Sequence, residues 1–346
     1  MPIQSLHTQE RVLICYNAPV SVYDNYSGKP KVDEDIQDDM SETSFAGEIK
    51  NVVASLKKVY SSVTTLAIGR NISQNIDAIR NAHPSVIFNL VESVEGIAAY
   101  ESYHAGIYDL LQISYTGNVP GCLANCLDKF RTKQILHSSG ISVPSAIVVR
   151  PHEHLVEQEF HLRFPVITKL LTEDASIGIS EHSVVKDFTM LKKQVAYLRK
   201  AYGQPVIIEE YIDGREFNIA VLGDRVLPVS EISFSGLPAG LPKIVTYEGK
   251  WMAESVYYKN TVPVCPAKIS VSLQKKLSKI ALQAFNEMSC RDYARVDVRL
   301  GPDNVPYVIE VNPNPDISSD AGFARAASHA GLSFSDLLVT LSLIHI

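Results

Sequence analysis

Four polar residues near the end of the chain recur at alternating positions, where three oxygen-bearing side chains and one arginine could converge on a single site. They are Arg295, Asp297, Glu310 and Asn312. Alternation along a strand sends residues two apart to the same face of a sheet. Residues 301–304, Gly-Pro-Asp-Asn, predict a tight turn. Two strands joined by that turn would place the four side chains next to one another.

The chemistry of this group points to a divalent cation bound together with phosphate. Two carboxylates and an amide oxygen are hard ligands, and Mg²⁺ prefers such ligands while keeping water and phosphate oxygens at its other positions. The alternative is a polar outer face of a strand. Each polar residue alternates with valine or isoleucine, as in a half-buried hairpin, so the metal site is favoured.

Two further segments predict contacts with a nucleotide. An apolar run ends on Lys169 and is followed by the loop 173–178, whose small residues could offer backbone N–H groups to phosphate. The run 206–217 predicts a strand, a glycine turn and a second strand, whose backbone could bind an adenine edge while an acid binds ribose. Taken singly, an ordinary strand-edge lysine explains the first segment better than a phosphate site does. A plain hairpin with a charged exit explains the second segment equally well.

The elements that must position these residues follow from apolar runs and turn signals. Strands are predicted at 11–17, 86–90, 144–150, 166–171, 206–211, 217–222, 226–232, 293–300 and 307–311. Helices are predicted around 48–60, 127–138, 186–202, 270–288 and 335–343. The first two strands with their helix predict a β-α-β start, and the polar segment 26–43 predicts a loop or excursion.

Length, charge and cysteine usage restrict the class of protein. A chain of 346 residues favours two or three domains, and a net charge of -6 argues against nucleic-acid or anionic-membrane partners. The chain has no apolar run long enough to span a bilayer, and Met1 to Val12 lacks a secretory pattern, so a cytoplasmic location is expected. Five scattered cysteines indicate reduced thiols. Cys122 and Cys126 lack further ligands in the sequence, which favours a packing role over zinc.

Taken together, the segments resemble the ATP-grasp superfamily, and specifically the D-alanine-D-alanine ligase family, from about Ser114 onward. The matching pieces are Tyr115–Gly117, Asp128–Lys133, Pro165–Lys169, Ile208–Phe217, Tyr247–Lys250, Cys265–Ala267, Arg295–Val298, Glu310–Asn312 and Ala330–Phe334. The resemblance implies an α/β (α+β) ATP-grasp fold of three domains, with ATP bound between the central and C-terminal α+β domains. The expected domains are a Rossmann-like pre-ATP-grasp domain (1–120), a central domain (121–208) and a C-terminal domain (209–346).

The resemblance also assigns roles residue by residue. It implies that ATP is bound by Lys129, Lys169, Ser176, Glu209, Glu210, Tyr211, Ile212, Glu216 and Lys250. Asp297, Glu310 and Asn312 would hold magnesium, with two ions expected and Mn²⁺ as an alternative. Arg295 would stabilise the reacting acyl centre, and Lys250 would lie near the γ-phosphate on a closing loop. Small amino-acid-like substrates and a homodimer are implied as partners.

The chain departs from the family pattern mainly at substrate positions. Residues 21–24 offer no Glu-x-x-Val-Ser motif, and Ala175 and Ala321 stand where the family has serines. Asp316 stands where the family has a glycine that serves the acyl oxygen. An acid there would repel a carboxylate or bind an amine. Glu92 and Glu95 could hold an ammonium group, although surface or helix-cap roles are equally open.

The predicted function is therefore ATP- and Mg²⁺-dependent amide formation through an acyl phosphate, between an amino-acid-like carboxylate and an amine. A carboxylate cannot react with an amine directly, because oxide would have to be its leaving group. An acyl phosphate instead releases phosphate. Two alternatives stay open: a true D-alanine-D-alanine ligase, which the substituted substrate positions disfavour, and an ATP-binding regulatory protein without turnover, which the retained Arg295 disfavours.

Overall fold

The computed structural model describes residues 8–18 and 40–346, which build three β-sheets with helices packed against them. The predicted loop at 26–43 and the substituted segment 21–24 therefore fall largely outside the described residues. Residues 40–43, the end of that predicted loop, are instead the first turn of a helix.

The N-terminal sheet is parallel and confirms the predicted β-α-β start. Its strands are β1 (Thr8–Asn17), β2 (Tyr60–Ile68) and β3 (Val86–Leu90), in the order β2-β1-β3. Its helices are α1 (Met40–Leu56), α2 (Ile72–Ala82) and α3 (Ala99–Leu110). The prediction that the first helix ends at Tyr60 is wrong, because Tyr60 is the first residue of β2. This strand is rich in β-branched and hydroxyl residues, which favour the extended conformation.

The second sheet contains the strand that carries Lys169 and the strand that leads into the predicted adenine-binding segment. Its strands are β4 (Ala146–Val149), β5 (Val166–Leu170), β6 (Val184–Val185) and β7 (Val206–Glu210), in the order β4-β7-β5-β6. The accompanying helices are α4 (Pro120–Leu127), α5 (Lys129–Ser138) and α6 (Phe188–Tyr202). The predicted helix 127–138 begins at Lys129 because the Asp128 carboxylate caps it, accepting from the N–H groups of Phe130 and Arg131 at 3.1 and 2.9 Å.

The third sheet carries the hairpin. Its strands are β8 (Arg215–Leu222), β9 (Arg225–Val226), β10 (Ser230–Ser233), β11 (Val262–Val264), β12 (Tyr293–Leu300) and β13 (Pro306–Pro313). Its order is β11-β10-β8-β12-β13, with β9 paired to β8. The helices are α7 (Tyr247–Trp251), α8 (Val256–Asn260), α9 (Val271–Glu287), α10 (Gly322–His329) and α11 (Phe334–Leu343). The single strand predicted at 226–232 is wrong, because Pro228 has no N–H and separates β9 from β10.

The last helix, α11, packs against the N-terminal part of the chain. Residues of α11 share one buried core with α1 and β2, and the hydroxyl groups of Tyr60 and Ser342 are hydrogen-bonded at 2.8 Å. Residue 208 lies inside β7, and the third sheet begins at Arg215; the domain boundaries near 120 and 208 stay predictions. No helix in the described part of the chain combines the length and apolar character that a membrane span requires.

Candidate active site

The β12–β13 hairpin confirms the expected pairing of the four polar residues. Arg295 lies opposite Asn312 and Asp297 opposite Glu310, with a register shift immediately after Asp297. The shift is a β-bulge, a feature that re-aims side chains at functional edges of sheets. The four side chains are thereby gathered on one face of the sheet.

Asp297 is the most heavily bonded member of this group. The Arg295 guanidinium donates to both of its carboxylate oxygens at 2.8 Å. The Asn312 amide donates at 3.0 Å and the Asn218 amide at 2.7 Å. Asn218 belongs to β8, which pairs with β12 at Asp297, and sequence reasoning missed it because an isolated asparagine on an apolar strand carries no motif.

Three lysines surround the hairpin from the second sheet and α5. Lys129 Nζ lies 3.0 Å from Glu310 Oε1 and 3.4 Å from Asp174 Oδ1. Lys169 and Lys133 lie 3.0 and 2.9 Å from the buried Glu209 carboxylate. Lys133 was not predicted as a site residue, although its spacing of one helical turn from Lys129 places both lysines on one face of α5.

These contacts set the charge states of the site. Burial alone would raise the pKa of Glu310, but Lys129, Lys169 and Arg295 lower it to about 2. Burial likewise works against the charge of Lys129, yet the Glu310 and Asp174 carboxylates hold its pKa above the ordinary value. Burial and the nearby Arg295 charge lower the pKa of Lys250. The site therefore keeps ionised carboxylates beside cations at neutral pH.

The small-residue loop after β5 has the backbone of an anion cradle. Ala175, Ser176 and Gly178 have φ values of 55°, 63° and 74°, a region that non-glycine residues enter rarely. Successive left-handed residues turn backbone N–H groups toward one concave side. The α7 helix lies against this loop: the indole N–H of Trp251 donates to the Ala175 carbonyl at 3.3 Å, and the Tyr247 N–H donates to the Ile179 carbonyl at 3.0 Å.

The segment between β7 and β8, called the hinge below, is the one predicted to bind adenine. The N–H groups of Glu210 and Tyr211 are already used, by Ser145 and Pro165. Within the described part of the chain, neither backbone group of Ile212 has a hydrogen-bond partner. The Glu209 side chain lies inward between the two lysines, whereas the Glu210 carboxylate accepts from the Arg163 guanidinium at the surface.

Glu216, the predicted ribose carboxylate, is buried and paired. Its Oε2 lies 2.6 Å from the Arg299 guanidinium. The same guanidinium donates to the carbonyl oxygens of Gly214, at 3.0 Å, and Lys243. It also lies 5.7 Å from the ring centre of Tyr211. Arg299 thus connects the hinge, the ribose carboxylate and the segment that leads to α7, and sequence reasoning did not select it.

A second, acidic side of the cleft lies beyond the hairpin. Glu92, Asn314 and Asp316 line one cavity together with Asn89 and Tyr293. The Glu92 side chain reaches solvent at the mouth of this cavity. Its carboxylate is nevertheless surrounded closely enough that burial, followed by the charges of Asp316 and Asp174, raises its pKa to about 7. No ion pair reaches Glu92 or Asp316 from any described residue.

Glu95 is placed differently from Glu92. It is buried at 4% exposure and its carboxylate oxygens lie 3.2 and 3.5 Å from the Arg70 guanidinium. That arginine follows β2, so the pair ties two loops of the N-terminal sheet together. Glu92 therefore lies at the acidic cavity, whereas Glu95 forms an internal ion pair with Arg70.

Comparisons with known proteins agree with this geometry. Residues 135–343 match the family model "D-ala D-ala ligase C-terminus". The "Uncharacterized protein y4sG" of Sinorhizobium fredii is 35% identical over 257 residues, 73% of this chain and 72% of its own length. The "D-alanine--D-alanine ligase" of Hydrogenovibrio crunogenus is 31% identical, over 68% of this chain and 70% of its own. The crystal structure of the Bacillus anthracis "D-alanine--D-Alanine Ligase" complexed with ATP superposes with a TM-score of 0.71 at 19% identity, covering 97% of both chains.

Proposed function

This chain belongs to the D-alanine-D-alanine ligase family and is an ATP-dependent carboxylate-amine ligase, and we propose that its amine acceptor carries a positive charge in place of the D-alanine carboxylate. The observation that supports this acceptor is the pair of uncompensated acids, Glu92 and Asp316, in one cavity beside the hairpin. A cationic group would neutralise them, whereas a carboxylate would be repelled.

The hairpin has a donor set that fits a divalent metal. Asp297 and Glu310 supply carboxylate oxygens and Asn312 an amide oxygen, the kinds of ligand that Mg²⁺ prefers. All three lie together on the hairpin, beside the cations of Arg295 and Lys129. We propose that Asp297, Glu310 and Asn312 hold Mg²⁺, with two ions expected and Mn²⁺ as an alternative. When bound, the metal would neutralise charge on the phosphate oxygens.

The surrounding cations and loops suit transfer of the γ-phosphoryl group. We assign Lys129, Lys169 and Lys250, with the loop at Ser176, to the phosphates, the hinge at Glu209–Ile212 to adenine and Glu216 to ribose. The substrate carboxylate would attack the γ-phosphorus and release ADP. The amine would then attack the acyl carbon, release phosphate and lose a proton, with Arg295 stabilising the oxyanion that forms at that carbon.

The acidic side of the cleft would act on the amine. An amine attacks only when it is unprotonated, and a carboxylate with a pKa of about 7 can accept its proton near neutral pH. Glu92 is therefore proposed as the group that receives the proton. Asp316, whose Oδ1 is held by the Ser318 N–H and hydroxyl at 2.8 and 2.6 Å, would bind the second, fixed positive charge.

An activity panel tests this proposal. The purified chain is given ATP, Mg²⁺, a set of amino-acid carboxylates and two kinds of acceptor, D-amino acids and amines with a second cationic group. We expect phosphate release and an amide product with the cationic acceptors. Dipeptides from D-alanine alone would establish a true D-alanine-D-alanine ligase, and no substrate-dependent phosphate would favour a regulatory ATP binder. A cytoplasmic location, a homodimer and the lack of nucleic-acid or membrane partners stay expectations.

A further inference from the structure

Three cysteines from distant parts of the chain meet behind the active site. Cys122 and Cys126 face the same side of α4, and Cys290 follows α9 just before β12. The Cys122 sulfur lies 4.0 Å from that of Cys126 and 3.5 Å from that of Cys290, and all three sulfurs lie within 4.8 Å of one another. The three cysteines are free thiols. Among the described residues, no other set of His, Cys, Asp or Glu ligand atoms of this size converges as closely.

These distances suit a common metal ligand sphere. Zinc binds thiolate sulfur at about 2.3 Å, so two sulfurs on one tetrahedral zinc ion are separated by about 3.8 Å. Zinc and other thiol-loving ions select thiolates over hard oxygen ligands. Cys122 and Cys126 are buried at 1% and 4% exposure, whereas Cys290 is partly exposed. Cys290 is therefore the member of the cluster nearest to solvent.

A positive charge lies beside the cluster. The Arg291 guanidinium belongs to the residue that follows Cys290 and is close enough to Cys122 to interact with it electrostatically. Arg291 is fixed by donating to the carbonyl oxygens of Gly117 and Tyr115 at 2.9 and 3.0 Å. Three thiolates and one Zn²⁺ carry a net charge of -1, which this guanidinium offsets.

We propose that Cys122, Cys126 and Cys290 form a zinc site, distinct from the proposed magnesium site of the ligase reaction. As each S–Zn bond forms, one thiol proton leaves to solvent, and no oxidant or reductant is needed. A water molecule would complete the coordination from the side of Cys290, the partly exposed member of the cluster. Bound zinc ties α4, which follows the joint at residues 115–118, to the segment that leads into β12 and its metal-binding residues.

The full chain itself provides the test. The reduced protein is stripped with a chelator and titrated with Zn²⁺ against a chromophoric competitor; we expect one tightly bound zinc per chain. Cys122→Ser and Cys290→Ser should each weaken zinc binding by at least about 100-fold, because loss of a ligand exceeds the 10–100-fold effect of outer-shell changes. Cys265→Ser is the matched control, since Cys265 lies outside the cluster, and should bind zinc like the parent chain.

Cobalt gives a second, spectroscopic readout. Replacement of Zn²⁺ by Co²⁺ should produce intense thiolate-to-cobalt charge-transfer absorbance in the parent chain and in Cys265→Ser, and much weaker absorbance in Cys290→Ala, whose partly exposed position tolerates the change. A parent chain with no thiolate-cobalt band, or equal zinc affinity in every variant, would overturn the proposal. Failure of the ligase panel would leave this result unaffected.

Discussion

The two sides of the cleft differ in how their charges are balanced. Around the hairpin, Asp297 is paired with Arg295 and Glu310 with Lys129, at 2.8 and 3.0 Å. On the acceptor side, the charge of Asp316 adds to burial in raising the pKa of Glu92, and no described residue forms an ion pair with either acid. In the function proposed above, the paired side binds phosphate and metal, and the acidic side binds a cationic acceptor.

The two sides also differ in how they compare with the family pattern expected from the sequence. The paired side carries the residues that match the expected motifs, whereas Asp316 stands where the resemblance predicts a glycine. A carboxylate added beside Glu92 has an electrostatic cost in the substrate-free protein, and binding of a cationic acceptor recovers it.

The largest effect is expected on the paired side, from Glu310→Gln. Loss of the carboxylate removes a metal ligand and the partner of Lys129, so kcat/KM should fall by about 1,000-fold, with a much smaller change in thermal unfolding. Steady-state kinetics and melting curves measure the two quantities. Glu287→Gln, an exposed substitution on α9, serves as the control. Equal losses of activity and folding would give Glu310 a structural role.

Asp316→Gly should move the acceptor side toward the family pattern. Removal of the fixed acid should raise the KM for a cationic acceptor by about 50-fold and allow D-alanine to react. The KM for ATP should stay unchanged, because Asp316 lies on the acceptor side. A variant whose acceptor preference matches the parent chain would show that this acid does not select the amine.

Arg299→Lys tests whether the hinge depends on a residue outside the family motifs. Lysine keeps the charge but cannot reproduce the fork that reaches Glu216, Gly214 and Lys243 together. We expect the KM for ATP to rise by about 10-fold while kcat changes little and the acceptor KM is unaffected. A lower kcat at saturating ATP would instead place Arg299 in the chemical step.

The smallest effect is a pH dependence at Glu92. Its folded-state pKa of about 7 lies above the ordinary glutamate value of 4.5. The folded state therefore binds more protons between these values, and stability falls as pH rises through that window. Glu92→Gln removes this loss, and its melting temperature should exceed that of the parent chain at pH 8 but not at pH 4. In the parent chain, acceptor binding should weaken as pH falls below about 7, and the variant should show a flat profile.

Sequence reasoning located the hairpin well because its evidence was local. Alternation predicted the faces of β12 and β13, and the turn at 301–304 predicted that the two strands pair, so the four polar side chains were expected side by side. The register that places Asp297 opposite Glu310 is known from the structure. Three of the four strands of the second sheet, β4, β5 and β7, were predicted to within a few residues for the same reason, whereas the two-residue strand β6 was not predicted.

Features that depend on distant contacts were beyond this reasoning. Asn218 and Arg299 became site residues only through pairing of β8 with β12, and Cys290 meets Cys122 across a separation of 168 residues. Glu95 was grouped with Glu92 because they are three residues apart, but its partner Arg70 lies in another loop. No local sequence pattern shows which of two nearby acidic residues forms an ion pair.

A competition assay tests the central claim most directly. The parent chain is given ATP, Mg²⁺ and one amino-acid carboxylate, with equal concentrations of D-alanine and a diamine as acceptors, and the products are identified by mass. The proposed acidic acceptor site predicts that the amide with the diamine predominates at pH 8. Predominance of D-alanyl-D-alanine would contradict it and return the chain to the ordinary reaction of its family.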